Sequence, residues 1–470
     1  MSQLSSKVAE QRLPPDQAIT TFAEVLQGYD RQGAVAEAQR GAGLSYARGT
    51  QACPYGVDLD GVVQALAGGD FDGAASVVRA SHPWAGILGR CCHRFCEAAM
   101  ARDYPRGFEP LNLRGLERAA GDYGAYQPLV VEAEPSGKRV AVVGAGSGGL
   151  AIALGLLRHG HRVQLIDRSP ELGGMLMTGY PNFRMPREVV RKETPILTSL
   201  LGLQLGHRLD SRGFQQLFQD YDAVCLATGF PMSAPVSLAG DDLNGVYDGV
   251  DLLERVSHGQ SPEIGKHVAV LGAGYTAQDA ARTSRRLRAR EVTVVYRRGP
   301  EHMPIRQAVR QALVHMMEEE GITYRYYLNP LRLLGEEGRV TTVECQPMQL
   351  GEPDESGRAS VQPANEPPIR LPVDTVIKCF GQVAELSILP DDVLLSDGLV
   401  LNRNGHSSRK GLFVTGDIAG DLGNDGAFAS GLQLAEQVHR FLALADYAWP
   451  DIQPGERIAR QRPGAALGGG

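Results

Sequence analysis

Two glycine triplets and one group of cysteines are the places in this 470-residue chain where residue type and spacing could do chemistry. The first triplet, Gly144-x-Gly146-x-x-Gly149, follows the β-branched run Arg139-Val-Ala-Val-Val and opens the apolar run that starts at Leu150. A strand that turns in this way into a helix aims backbone N–H groups and a helix N-terminus at a pyrophosphate. Gly144 permits the tight turn, Gly146 lets phosphates approach the backbone, and Gly149 lets the helix lie close on the strand. Asp167 ends the next strand-like run, 18 residues past Gly149, close to the spacing at which an acid bonds ribose hydroxyls. The second triplet is Gly272-x-Gly274-x-x-Ala277, with alanine in the third place, as these turns allow. Its following strand ends in Arg297-Arg298 instead of an acid. Two guanidinium groups attract a 2′-phosphate that a carboxylate would repel, so this site leans towards the phosphorylated nicotinamide cofactor.

The cysteines are Cys53, Cys91, Cys92 and Cys96, four of seven in the chain. An odd total, with no apolar export signal after Met1, argues against a disulfide framework and leaves metal binding or plain burial. Cys225, Cys345 and Cys379 stand singly in apolar runs and read as small buried hydrophobes.

These groups need elements to hold them. Residues 1–130 read as an all-helical domain. One helix is expected from Pro15 with Ile19, Phe22 and Leu26 on a single face, and others near residues 56–66 and 71–78. From Lys138 the pattern becomes α/β. The expected fold is two nested Rossmann-type dinucleotide-binding domains behind the helical one. The first domain is discontinuous, at 138–250 and 375–446, and the second occupies 251–374. A strand near 374–381 is expected to return to the first domain, residues 350–370 to form a hairpin loop, and 447–470 to be a flexible tail or docking strip. One dinucleotide site inserted into another indicates a flavin domain carrying a nicotinamide domain. Gly416-Asp417, at a late strand–helix turn, suits a flavin's ribityl chain. Hydride exchange between nicotinamide and flavin follows, and it asks the protein for placement instead of a general acid or base. A net charge of −7 gives no basic footprint for nucleic acid, and no apolar run reaches a membrane span, so a cytoplasmic protein is expected.

Further stretches carry a resemblance. Gly173-Gly-Met-Leu-Met-Thr-Gly-Tyr-Pro-Asn-Phe-Arg184-Met-Pro186, Tyr296-Arg-Arg with His302-Met-Pro304, and Gly89-Arg-Cys-Cys-His-Arg-Phe-Cys-Glu-Ala-Ala-Met100 make the chain similar to the small (beta) subunit of glutamate synthase over residues 15–445. Its relatives include the N-terminal half of dihydropyrimidine dehydrogenase and the large subunit of NADH-dependent ferredoxin:NADP oxidoreductase. The resemblance implies FAD held by Gly144, Gly146, Ser147, Gly149, Asp167, Arg168, Gly174, Met175, Arg184, Leu209, Thr228, Gly229, Gly416, Asp417, Ala427 and Phe428. It implies NAD(P)H at Gly272, Gly274, Tyr275, Thr276, Ala277, Arg297, Arg298, Phe380 and Gly381. It also implies an iron–sulfur or catalytic oxidoreductase subunit as partner in a larger complex. Members of the family hold two 4Fe-4S clusters, and here the matching positions include Gly41, Leu44, Gly49 and Met100, all non-ligands from one cluster's set. The other set, Cys53, Cys92, Cys96 and Glu117, is intact, so at most one cluster is expected.

Two other readings share these features. A flavin-dependent disulfide reductase needs a redox cysteine pair near the flavin, yet residues 171–186 and 272–304 contain no cysteine. A non-catalytic assembly subunit with bound nucleotide would have had no reason to keep both glycine turns.

Overall fold

The computed structural model describes residues 6–104, 108–125, 127–353, 359–420 and 423–456. The flavin-type domain is built on a seven-stranded sheet. Strand Arg139–Val143 lies beside Arg162–Ile166 on one side and Ala223–Leu226 on the other, all parallel. Gly202–Gln204 and Leu412–Val414 extend the two sides. The strand order therefore reverses at Arg139–Val143, the point where doubly wound sheets open a ligand crevice. Helices Ser147–Arg158 and Asn424–Ala443 pack together over the sheet. Small residues allow the close crossing: a methyl on Gly431 would stand 2.6 Å from the Gly148 carbonyl oxygen.

The second domain has five parallel strands, in the spatial order Ile322–Tyr326, Glu291–Tyr296, His267–Leu271, Thr375–Lys378 and Val246–Asp248. This moves the expected boundary. Thr375–Lys378 does not return to the first sheet; it pairs with His267–Leu271 and Val246–Asp248 and completes the second. Its apolar run suits either parallel core equally, so the pattern alone left the choice open. The crossing between domains is instead a short antiparallel pair, Gln382–Val383 with Met232–Ser233. The expected 350–370 hairpin is present as Arg339–Pro353 against Ala359–Pro363.

Among the described residues the helical domain carries seven helices from Arg31 to Tyr123. Leu59–Ala67 and Phe71–Ser81 begin where Asp58 and Asp70 accept hydrogen bonds from Gly61 N and Gly73 N. The helix expected over 15–26 stops at Ala18. Thr20 and Thr21 turn their hydroxyls onto nearby backbone, and Val25 N donates to Phe183 O. Leu26–Gly28 becomes a strand paired with Gln11–Arg12. The predicted flexible tail is also corrected up to residue 456. Trp449 lies 5.0 Å from the Phe413 ring and donates to Ser407 O, and Ile452 is buried. An aromatic body with a polar handle gives this segment an anchor that its Pro and Gly content hides. Residues 457–470 lie outside the described residues.

Candidate functional site

At the flavin crevice the backbone is shaped by glycines that cannot be replaced. Gly144 holds φ +106°, and a Cβ there would overlap the Ala227 carbonyl. A Cβ on Gly149 would overlap the Gly144 carbonyl oxygen, so helix and strand meet without a side chain between them. Gly146 differs: a Cβ there would meet only Gly174 Cα, at 3.8 Å, which leaves an open slot between two glycines for a phosphate. Ser147 begins the helix and Met175 the short helix after Gly174. Asp167 accepts from Ala145 N at 2.6 Å and from Ser169 N at 2.7 Å. Its remaining lone pairs are free to face ribose hydroxyls.

On the neighbouring strand end, Thr228 Oγ1 is buried with no partner, the signature of a group that a ligand satisfies. A Cβ on Gly229 would lie 4.0 Å from Asp417 Oδ2, and one on Gly416 would lie 3.5 Å from Ala427 Cβ. The structure thus gathers Thr228, Gly229, Gly416, Asp417 and Ala427 at one edge of the crevice. Asp417 Oδ1 accepts from Gly423 N at 2.9 Å, which fixes its other oxygen. Phe428 is fully buried. Arg168 pairs with Glu385 at 3.5 Å, and Leu209 is half-buried against the sheet's apolar cluster. These residues fit FAD.

Arg184 does something sequence reasoning did not anticipate. Its Nη1 reaches both oxygens of Asp279, at 2.7 and 2.6 Å, on the helix of the second glycine turn. Burial works against charge on Arg184, but Asp279 opposite holds its pKa above the ordinary arginine range. Next to it Phe183 enters the second domain and lies under the guanidinium groups of Arg282 and Arg286, at 4.7 and 3.9 Å. Both arginines pair with Glu320, at 2.6 and 2.8 Å. The segment expected to hold flavin is therefore also a clasp between the two nucleotide domains.

The nicotinamide-type turn repeats the first. Gly272 has φ +118° and a Cβ there would overlap the Cys379 carbonyl, while Gly274 faces only Pro304 Cγ, at 3.6 Å. Ala277 is buried where the third glycine would sit. Thr276 Cγ2 is 3.4 Å from where a Gly249 Cβ would stand. Arg297 is exposed and Arg298 half-buried just past the end of strand Glu291–Tyr296, where the first domain's strand ends in Asp167. Phe380 and Gly381 follow the end of the adjacent strand. Tyr275 opens the helix, and its hydroxyl meets His93 Nε2 at 3.3 Å and Arg306 N at 3.3 Å. His93 belongs to the helical domain and was missed; nothing in its local spacing connects it to a turn 182 residues away.

In the helical domain Cys53, Cys96 and Glu117 lie within electrostatic reach of one another. Burial raises both thiols and pushes the Glu117 carboxyl up to about 8. Glu117 Oε1 is buried without a hydrogen-bond partner, 3.5 Å from His82 Nε2. Cys92 is half-buried on the adjoining loop. Among the described residues no three Cys, His, Asp or Glu surround a point that a single metal ion could fill. A four-iron cubane spreads its ligands wider than one ion does, and an orphaned buried carboxylate beside two thiols fits such a group. The other ligand set has been overwritten by core. A Cβ on Gly41 would stand 2.6 Å from Leu111 Cδ2 and would overlap the Tyr46 hydroxyl, and one on Gly49 would lie 2.9 Å from Leu59 and 3.1 Å from Met100. Tyr46, Leu59, Met100 and Leu111 are all buried in one apolar cluster.

A two-dinucleotide oxidoreductase with an iron–sulfur-type helical domain is what this fold and these turns define. Comparison with known proteins agrees. The pyridine nucleotide-disulphide oxidoreductase family matches residues 138–440, and the dihydropyrimidine dehydrogenase domain II, 4Fe-4S cluster family matches residues 18–128. The NADP(+)-dependent formate dehydrogenase subunit beta of Moorella thermoacetica is 33% identical over 85% of this chain and 61% of its own length. The glutamate synthase [NADPH] small chain of Halomonas elongata is 30% identical over 77% of this chain and 78% of its own. Among solved structures, FprA of Mycobacterium tuberculosis in complex with NADPH shares the fold, with TM-score 0.56 and 18% identity over 66% of this chain and 85% of its own. The chain belongs to the pyridine nucleotide-disulphide oxidoreductase family and, within it, with the glutamate synthase small chains.

It is an FAD- and NAD(P)-dependent oxidoreductase. The chain spans about half to three fifths of the length of several curated relatives it matches. No disulphide is formed among the described residues, so the one in the family's name has no counterpart there. No described helix is long and apolar enough to cross a membrane.

Proposed function

We propose that this chain is the nicotinamide-linked module of a larger redox assembly, passing electrons between NADP(H), FAD, one 4Fe-4S cluster and a partner oxidoreductase subunit. The observation that carries this reading is the seating of the helical domain on both nucleotide domains. His93 meets Tyr275 of the nicotinamide turn, and Trp84 packs at 4.6 Å on Phe428 of the flavin edge.

The chain's own residues bind and orient. The Gly146–Gly174 slot and the Gly274 turn admit pyrophosphates, and helix N-termini at Ser147 and Tyr275 complement their charge. Asp167 would accept from ribose hydroxyls and Asp417 from a ribityl hydroxyl of the flavin nucleotide. Arg297 and Arg298 favour a 2′-phosphate. When bound, the cofactors supply hydride exchange and its division into single electrons. Cys53, Cys92, Cys96 and Glu117 would hold the one cluster. The partner is defined only by its chemistry, a one-electron acceptor or donor centre.

Anaerobic stopped-flow mixing with NADPH and with NADH tests the reading. Bleaching of the bound flavin is expected, faster with NADPH, together with iron in anaerobically prepared protein. Absence of bleaching with either nucleotide overturns the enzyme reading; bleaching without iron removes the cluster from it.

A further inference from the structure

Between the flavin edge and Glu117 lies a buried histidine with no assigned role. His82 is completely inaccessible, and it is held from three sides. The Tyr55 ring meets it edge-on at 5.1 Å, the Trp84 ring lies nearly parallel at 6.5 Å, and Trp84 N donates to His82 Nδ1 at 3.3 Å. That backbone donor settles the tautomer. With Nδ1 accepting, the single proton of the neutral imidazole is on Nε2. Nε2 faces Glu117 Oε1 at 3.5 Å, and each of these atoms is buried without a hydrogen-bond partner. Two unsatisfied buried polar atoms aimed at each other are costly unless something draws them together.

We infer that His82 is a positioning residue for the iron–sulfur site, its Nε2–H donating to the Glu117 carboxylate when that carboxylate serves as a cluster ligand. This rests on the reading of Glu117 as a ligand. A ligating carboxylate is an anion with a lone pair to spare, and an outer donor fixes its orientation and draws charge from it. Withdrawing charge from a cluster favours its reduced form. His82 is also the link by which the flavin edge reaches the ligand, through Trp84 packed on Phe428. The ring's three-sided packing keeps Nε2 aimed whether or not the donor bond is made.

The test uses full-length protein, purified anaerobically and reconstituted with ferrous iron and sulfide. Wild type is compared with His82→Phe, which keeps a ring but loses the donor, and with His82→Gln, which restores an amide N–H. Iron per chain, flavin per chain and the EPR-monitored redox titration are read in each. In His82→Phe the ratio of reduced to oxidised cluster at a fixed potential should fall about tenfold, about 59 mV for one electron. His82→Gln should regain most of it, and flavin content should stay constant in all three. As a check that needs no variant, proton double resonance on the reduced wild type should show a coupled proton that disappears after exchange into D2O. Iron in the wild type, with an unchanged potential in His82→Phe or no exchangeable coupled proton, overturns the role of His82 alone. No iron in the reconstituted wild type overturns the cluster reading and this inference with it.

Discussion

Cutting the Arg184–Asp279 pair should loosen the two nucleotide domains from each other without emptying the flavin site. Asp279 is 6% exposed and Arg184 26%, and one guanidinium nitrogen reaches both carboxylate oxygens within 2.7 Å. An exposed pair contributes up to about 1 kcal/mol, whereas severing a fully buried one costs about 3–5 kcal/mol. This pair lies between, so Asp279→Asn should cost about 2–3 kcal/mol, the range of a charged hydrogen bond. Urea unfolding of the flavin-loaded protein reads that loss, and stopped-flow bleaching by NADPH reads its effect on alignment of the domains. Flavin content should be unchanged in Asp279→Asn. The double variant Arg184→Met with Asp279→Leu replaces the pair by apolar groups and should recover to within about 1 kcal/mol of wild type. If the double variant loses the sum of the single losses, the two side chains are not coupled and the clasp is refuted. If Arg184→Met empties the flavin site while Asp279→Asn leaves it full, Arg184 serves the flavin directly, as its family resemblance implied.

Gly272→Ala forces a Cβ into the Cys379 carbonyl at a positive φ, and NADPH affinity measured by titration should weaken about tenfold or more, with flavin retained. Arg297→Glu together with Arg298→Glu should lower the preference for NADPH over NADH in kcat/KM by about tenfold or more, the worth of one lost charged hydrogen bond. His161 is held down to about 4 by burial and by His439 at 3.1 Å. Below pH 6.5 the unfolded chain takes a proton that folded His161 refuses, so its stabilising contribution is complete above 6.5 and is lost between 6.5 and 4. The unfolding free energy should fall by up to about 3 kcal/mol across that window, and His161→Asn should flatten the fall.

Both nucleotide turns were legible in the chain because local geometry makes them: no side chain fits at Gly144, Gly149 or Gly272, so glycine is obligatory there. Asp167 was legible as a strand end at a set distance from the first turn, and Gly416-Asp417 as a short apolar strand ending in Gly-Asp. What escaped was decided by partners far away in sequence. Thr375–Lys378 has a pattern that either sheet could bury. Residues 20–25 leave the helix because Phe183 offers a carbonyl. The Arg184–Asp279 pair and the His93–Tyr275 contact join residues 95 and 182 positions apart, beyond any periodicity. The lost ligand set was legible as missing cysteines, but its replacement by Tyr46, Leu111 and Met100 could only be seen in three dimensions.

The N-terminal strand pair has a consequence for how the chain is made. Arg12 bonds Glu319 through both of its terminal nitrogens, 307 residues away, and Val25 waits on Phe183. A ribosome adding about 5–20 residues per second needs about 15–60 s to supply Glu319 after Arg12. The earliest described stretch to be synthesised is therefore among the last to be seated. Until then it is held inside the helical domain, where Arg90 and Arg118 pair with Glu24 and Val8 N donates to Glu37. Vectorial synthesis thus completes the helical domain first, leaving its outermost ribbon to close over the nicotinamide domain as a final latch.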